Sequence, residues 1–247
     1  MEGVSVRGMI GATTAQWQVA AVEFDILWRL HGRDRLPYPL RCRGSADTAD
    51  RHRRDRRAAA ARMRAVLDED LHEALTILLD PAVRVEVCGF HGVRLGSVTR
   101  LHAGIRGGVG ALAAQAPGTD AVRISLLPDR AVPAAIAGAL PAAPRGTGGG
   151  VTGRRRVPAP GAVLRPIGDR EAALAAFLGL PRTGIGEIGV HPGPAVDWRP
   201  SPDGAVVHWM DHPDGRYLVR GSDAAEVLPV SEAELAAQLR ALIAAVG

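Results

Sequence analysis

"VRVEV" at residues 83–87, "VRLGSVTRL" at 93–101 and "AVRISLL" at 121–127 put apolar side chains at every second position, or nearly so. A period of two marks strands with one face turned to a core. Glycines and Asp120 punctuate these runs, so successive strands turn back on one another and an antiparallel meander is predicted. The segments on either side change period from two to that of a helix, so the chain reads as a mixed α and β domain of α+β type.

Upstream, Val19, Val22, Ile26, Leu27 and Leu30 recur at helical spacing, and Phe24 and Trp28 form an i, i+4 pair on a neighbouring face. Such a helix needs cover on more than one side. Pro37 and Pro39 stop it, because proline lacks an amide donor and disfavours helix in the residue before it. "PYPL" at 37–40 then reads as an extended lead-in to a strand. Residues 46–79 read as one long helix: "RHRRDRR" opens it, Met63, Val66, Leu67, Leu71, Ala74, Leu75 and Leu78 line its second half, and Asp80–Pro81 ends it. Downstream of the meander, "PDRAVPAAIAGALP" at 128–141 is a short helix with Val132, Ile136 and Leu140 inward.

Residues 141–161 are rich in Pro, Gly and Arg without hydrophobic periodicity, the composition of a linker or loop. Beyond it, "DREAALAAFLGLP" at 169–181 is a short helix, and "IGEIGV" at 185–190, "GAVVHWMDHPDGRYLVR" at 204–220 and "AEVLPV" at 225–230 are strands, the middle piece folding back at Asp214–Gly215. The last helix starts at Ser231, which forms a capping box with Glu234, and carries Leu235, Leu239, Leu242 and Val246 on one stripe.

"LLPDRAVPAAIAGAL" at 126–140 and "VLPVSEAELAAQLRAL" at 227–242 share an order of strand, Leu-Pro and alanine-rich helix. Helix, strands, helix thus occurs twice, as expected of two halves related by a pseudo-twofold. The organisation that follows is an N-terminal extension (1–18), a first half (19–140), the linker (141–161) and a second half (162–247), all in one continuous domain.

Composition bounds the function. At 247 residues, 47% hydrophobic and 23% charged, the chain is globular. All thirty basic residues are arginine, so the pI near 9.9 accompanies a net charge of only +4; it reports arginine chemistry and a GC-rich coding bias rather than a large positive excess. Cys42 and Cys88 are the only cysteines and belong to no metal or dithiol spacing, so both are expected to be buried. The start lacks a basic-then-apolar leader, and no window approaches eighteen uninterrupted apolar residues, which points to a cytoplasmic protein.

Each candidate chemistry fails on its own spacing. His208 and His212 lie in a strand-turn context, about 13 Å apart along an extended chain. "HEAL" at 72–75 lacks the second histidine of a zinc-protease helix. "GIRGGVG" at 104–110 and "GTGGGVTGR" at 146–154 lack the Gly-Lys-Ser/Thr ending of a phosphate loop. Ser97, Ser125 and Ser222 sit in no nucleophile elbow. No catalytic, cofactor or metal residue is assigned, and no enzyme is expected. The alternative class is an arginine-rich nucleic-acid binder, in which residues 51–57 and 154–156 would converge on one phosphate-binding stripe; against it, none of the nine aromatic residues interleaves with those arginines.

"EFDILWRLHGRDRLPYPL" at 23–40 resembles the N-terminal signature of the EspG family, the ESX (type VII) secretion-associated proteins of actinobacteria. "GIGEIGV" at 184–190 and "HWMDHPDGRYLV" at 208–219 are similar to that family's Gly-rich strand and Trp-x-Asp hairpin, with Glu187 where glutamine is frequent and His212 where threonine is usual. The resemblance spans residues 17–246. It implies an α+β fold with a central, mainly antiparallel β-sheet flanked by helical bundles in quasi-twofold halves, no catalytic residue and no cofactor. It also implies a cytosolic chaperone that binds the apolar helical tip of a PE–PPE heterodimer, keeps it soluble and directs it to export. As monomer or homodimer, such a chaperone would meet its client by helix-in-groove recognition. Ile185, Ile188 and Val190 on the Gly-rich strand are the expected contacts, while the Phe24–Trp28 helix is expected to be core.

Overall fold

The computed structural model describes residues 15–42, 48–115, 117–154, 168–195, 204–221 and 224–247. The strands are β1 (Ala15–Ala20), β2 (Val83–His91), β3 (Ser97–Arg106), β4 (Val109–Gln115), β5 (Ala121–Pro128), β6 (Val151–Arg154), β7 (Gly184–Pro192), β8 (Ala205–His212), β9 (Gly215–Arg220) and β10 (Ala224–Pro229). They form one antiparallel sheet in the order β1-β5-β4-β3-β2-β7-β8-β9-β10-β6. The α-helices are α1 (Ala21–Leu30), α2 (Ala49–Val66), α3 (Glu69–Leu79), α4 (Val132–Ala139), α5 (Asp169–Leu178) and α6 (Glu232–Val246).

That strand order reads as two matching halves. Each half runs from an edge strand through helix to a four-strand meander and a final helix, and each edge strand pairs with the last strand of its own meander, β1 with β5 and β6 with β10. The halves join through β2 and β7, antiparallel over nine residues with Val87 opposite Ile188. A shift of 101 residues carries Val87 to Ile188 and also Leu127–Pro128 to Leu228–Pro229, so the Leu-Pro repeat marks equivalent strand ends before α4 and α6.

Alternation gives the sheet two unlike faces. On the closed face, Val85, Val87, Leu101, Ile188, Val190 and Trp209 pack beneath α4 and α6, whose Ile136, Leu235 and Leu239 complete the main core. Trp209 lies flat over two glycines: a β-carbon on Gly186 would stand 1.9 Å from its ring and one on Gly89 2.4 Å. The Gly-rich strand is therefore a seat for tryptophan. A second device on this face is Arg216, 2% exposed, which donates to both carboxylate oxygens of Asp211 at 2.7 and 2.9 Å and to the Pro141 carbonyl. It ties the connector between halves to β8 and β9.

Among the described residues, the other face carries helices only at its two ends. Over the first half, Phe24, Leu27 and Trp28 of α1 and Leu71, Leu75 and Leu78 of α3 cover β1, β5 and β4, and α3 also reaches over His102 and Gly104 of β3. Glu23 and Asp25 on α1 are buried and hold α2 from outside, through Arg62 (2.7 Å) and Arg56 (2.6 Å). Over the second half, Leu174 and Phe177 of α5 pack on Met210, Tyr217 and Val227.

Several sequence expectations need correction. The helix predicted over 46–79 is two helices, because the Asp68 carboxylate accepts from the Leu71 amide at 2.7 Å and starts α3 anew; Val66 and Leu67, expected in its stripe, are 37% and 44% exposed. Val19 belongs to β1 and Leu30 is exposed, so the first helix starts later than its spacing suggested. "PYPL" forms a turn, not a strand lead-in. The boundary set after residue 18 falls inside β1, and the linker contains β6; residues 1–14 and 155–161 lie outside the described ones. Cys42 and Cys88 are free and only half buried.

Candidate partner-binding site

Between α3 and α5 no helix among the described residues lies on the open face. The bare strip runs along β2 and β7 and takes in the Val98–Arg100 part of β3, whose His102 and Gly104 lie under α3, and the facing edge of β8. Three strand spacings make it about 15 Å wide, and nine-residue strands make it about 30 Å long. An α-helix with its side chains measures about 10–12 Å across.

Register places the side chains in rows. Phe90, Ile185 and Val98 form an apolar row at one end, with Phe90 47% exposed. Cys88, Glu187 and His208 make the next row, where His208 Nδ1 stands 3.9 Å from Glu187. Glu86, Gly189 and Val206 follow, Val206 being 43% exposed, and Arg84 and His191 close the far end. Two loops add apolar rims. The turn after α1 brings in Tyr38, half exposed, whose phenol is pushed up to about 12 by burial and by the Cys88 thiol beside it. The β2–β3 loop, next to Phe90, presents Val93 at 90% exposure and holds Arg94 and Leu95 at φ of 52° and 54°. Side chains other than glycine occupy that region at a cost of about 1–3 kcal/mol each, a pattern that collects at working surfaces.

Charge at the far end is internally satisfied. Arg84, almost fully buried, donates to Glu86 at 3.0 Å and to the carbonyls of Pro192, Gly193 and Pro194 at 3.0–3.2 Å. Burial pushes the His191 imidazole below its ordinary value, Arg84 adds to the effect, and Glu86 at 4.0 Å opposes it. The strip thus offers exposed apolar side chains at Phe90, Val206, Tyr38 and Val93 around a polar centre at Glu187 and His208.

Of the three residues expected from the sequence to make contact, only Ile185 faces this strip. Ile188 and Val190 are fully buried on the opposite face under α4 and α6. Alternation separates residue 185 from 188 and 190, so the trio cannot share a surface. Phe90, Val206, Tyr38 and Val93, the large apolar side chains that the strip and its rims expose, were not among the expected residues. Phe90 was within reach, because it breaks the alternation of "VRVEV" with a large side chain on the strand's other face; Tyr38 was not, because its place depends on how the 31–42 turn lies on the sheet.

The remaining candidates resolve into structure. The His212 ring is buried, its Nδ1 donates to the Pro181 carbonyl at 2.8 Å, and it stands edge-on to Phe177 and Tyr217. Among the described residues no group of three or more His, Cys, Asp or Glu is placed to hold a metal ion, and no helix is long and apolar enough to cross a membrane. Arg154 sits on β6 at one edge of the sheet, whereas residues 51–57 lie in α2, packed over α1 at the opposite edge, about 40 Å away by strand spacing. They do not converge; Arg155 and Arg156 lie outside the described residues.

Comparison with known proteins agrees with this architecture. No curated protein matches the chain. A solved structure of the Mycobacterium tuberculosis type VII secretion system chaperone EspG5, in complex with the PE25–PPE41 dimer, is similar in fold: TM-score 0.59 at 12% identity, over 94% of this chain and 97% of that one. The family model for the EspG family matches residues 20–241, most of the chain. Both signature stretches, 23–40 and 184–219, fall inside that match, and the chain belongs to the EspG family.

Proposed function

We propose that this chain is a cytosolic chaperone of type VII secretion that seats the apolar helical tip of a PE–PPE heterodimer on the strip between α3 and α5, keeps it soluble and delivers it for export. The carrying observation is the bare strip itself, wide enough for one helix and edged by exposed Phe90, Val206, Tyr38 and Val93. Family membership and the chaperone complex of similar fold support the reading. The role is binding, not catalysis. Large exposed apolar side chains gathered in one strip are the usual mark of a protein–protein site.

Size decides how the client must sit. A stable interface buries about 800 Å2 on each partner, whereas the strip floor covers about 450 Å2 by strand spacing. The Val93 loop and Tyr38 must therefore close on the sides of the client, and the strained Arg94–Leu95 backbone is placed to do so.

The test is co-expression with a PE–PPE pair from the same genome, followed by co-purification and titration. Phe90→Glu and Val206→Glu each remove an apolar contact of about 1.5–3 kcal/mol, so each is expected to weaken binding tenfold or more without lowering the melting temperature. Wild-type affinity in both variants would mean that the client sits elsewhere.

A further inference from the structure

The chain's positive charge is not spread over its surface. α2 holds seven of the thirty basic residues and two of the twenty-six acidic ones, so this one helix carries about +5 while the rest of the chain is close to neutral at −1. Two of its arginines, Arg56 and Arg62, face α1 and are held by Asp25 and Glu23. Ala59 and Met63 are buried on the same side. On the outward side, Arg51, Arg54, Arg57 and Arg64 are exposed and have no ion-pair partner among the described residues; the helix's two carboxylates, Asp50 and Asp55, are exposed as well, and Asp50 pairs with Arg53. They extend over about 20 Å of a straight helix.

We propose that the outward face of α2 docks this protein electrostatically on an anionic bilayer surface, without insertion. The proposal rests on the secretion reading above, since an export chaperone must bring its client to a membrane. The shape agrees: a convex row of arginines, with exposed Val66 and Leu67 at its C-terminal end alone, matches a flat field of phosphates rather than a keyed protein surface. The client strip uses no residue of α2, so both surfaces are free to work together. The acidic first turn of α3 lies beyond Leu67, where Asp68 is engaged in capping its own helix.

The experiment is co-sedimentation of the full chain with vesicles of phosphatidylcholine, with or without one-third phosphatidylglycerol. Binding to the anionic vesicles only is expected, falling steeply between about 50 and about 300 mM salt. Each arginine at an anionic surface contributes about a fivefold gain, so the triple variant Arg54→Gln, Arg57→Gln, Arg64→Gln should bind about a hundredfold more weakly. A charge-matched control with exposed Arg123, Arg130 and Arg240 changed to Gln should bind as wild type. No binding by the wild type, equal losses in the two triple variants, or tighter binding to duplex DNA than to the vesicles would each overturn the proposal. Client titration run beside it separates the two readings: vesicle binding lost with client binding intact sinks only this one.

Discussion

His102 and His208 stand at matching places in the two halves. Each lies on the second strand of its meander, His102 opposite Glu86 and His208 opposite Glu187, and the two glutamates are related by the same shift of 101 residues as the rest of the repeat. Their fates differ. His102 is 2% exposed, with the carbonyls of Tyr38 and Leu78 at 3.1 and 3.3 Å from its ring nitrogens, whereas the His208 side chain is one-third exposed on the open strip. The backbone repeat is symmetric; the cover laid on it is not. α1 and α3 reach inward over the first half, while α5 stays near the outer edge of the second, and the bare strip is the difference between them.

The closed face shows the same symmetry broken in side-chain size. Val85 pairs across strands with Ala103, and its counterpart Gly186 pairs with Trp209. One half sets a larger residue on the inner strand against a smaller one on its neighbour; the other half reverses the sizes. This exchange gives the largest predicted effect. Trp209→Ala should cost about 3–5 kcal/mol, and Gly186→Val, which copies the first half's residue, should cost about 3 kcal/mol or more by driving a side chain into the indole. Combined, they should cost well under the sum, because the clash disappears with the ring. Strict additivity in a denaturant-melt double-mutant cycle would break the claim that the two halves exchange volume.

That pairing also shows what the sequence made legible. Period-two runs and the Leu-Pro repeat carried the sheet, the duplication and the last helix, because strand alternation and helix capping are local rules. The Ser231–Glu234 box is present as expected, with the Ser231 hydroxyl accepting from the Glu234 amide at 3.2 Å and Glu234 accepting from the Ser231 amide at 2.7 Å. The proposed partner site was not legible in the same way. Ile188 and Val190 read as contacts because they sit in a distinctive motif, yet that motif is distinctive for holding Trp209. Whether a strand face is bare depends on how far α3 and α5 reach, and no periodicity within β2 or β7 records that. The break at Leu67–Asp68 was the reverse case: Asp68, Glu69 and Asp70 form a helix-start signal that the continuing apolar spacing overrode.

The buried histidine supplies the next test of the comparison. Burial lowers the His102 pKa to about 4, Arg84 adds to the effect, and the two carbonyls oppose it. The unfolded chain takes up a proton near 6.5, so between that value and about 4 the unfolded state binds more protons than the folded one. Stability from this group is complete above 6.5 and is lost as pH falls toward 4, a difference of roughly 3 kcal/mol. Urea melts across that range should show the loss, and His102→Gln should flatten it. A slope unchanged by that substitution would assign the acid sensitivity to other groups and remove His102 as the marker of the covered half.

The smallest effect distinguishes the two helices of the repeat. α6 begins with its Ser231 capping box, whereas α4 begins at Ala131 with no side-chain cap and with Pro133 in its first turn. Ser231→Ala should cost about 1 kcal/mol, the usual worth of an N-cap, while Ala131→Ser should gain no more than a few tenths, since Ala131 has helical backbone angles and a cap residue needs extended ones. Arg145, on the connector between halves, also reaches Glu234 at 3.1 Å, but both side chains are about half exposed and such pairs add little. If Arg145→Ala destabilised the protein as much as Ser231→Ala, the start of α6 would be held chiefly by the connector, and the likeness between the two Leu-Pro helices would stop at their strands.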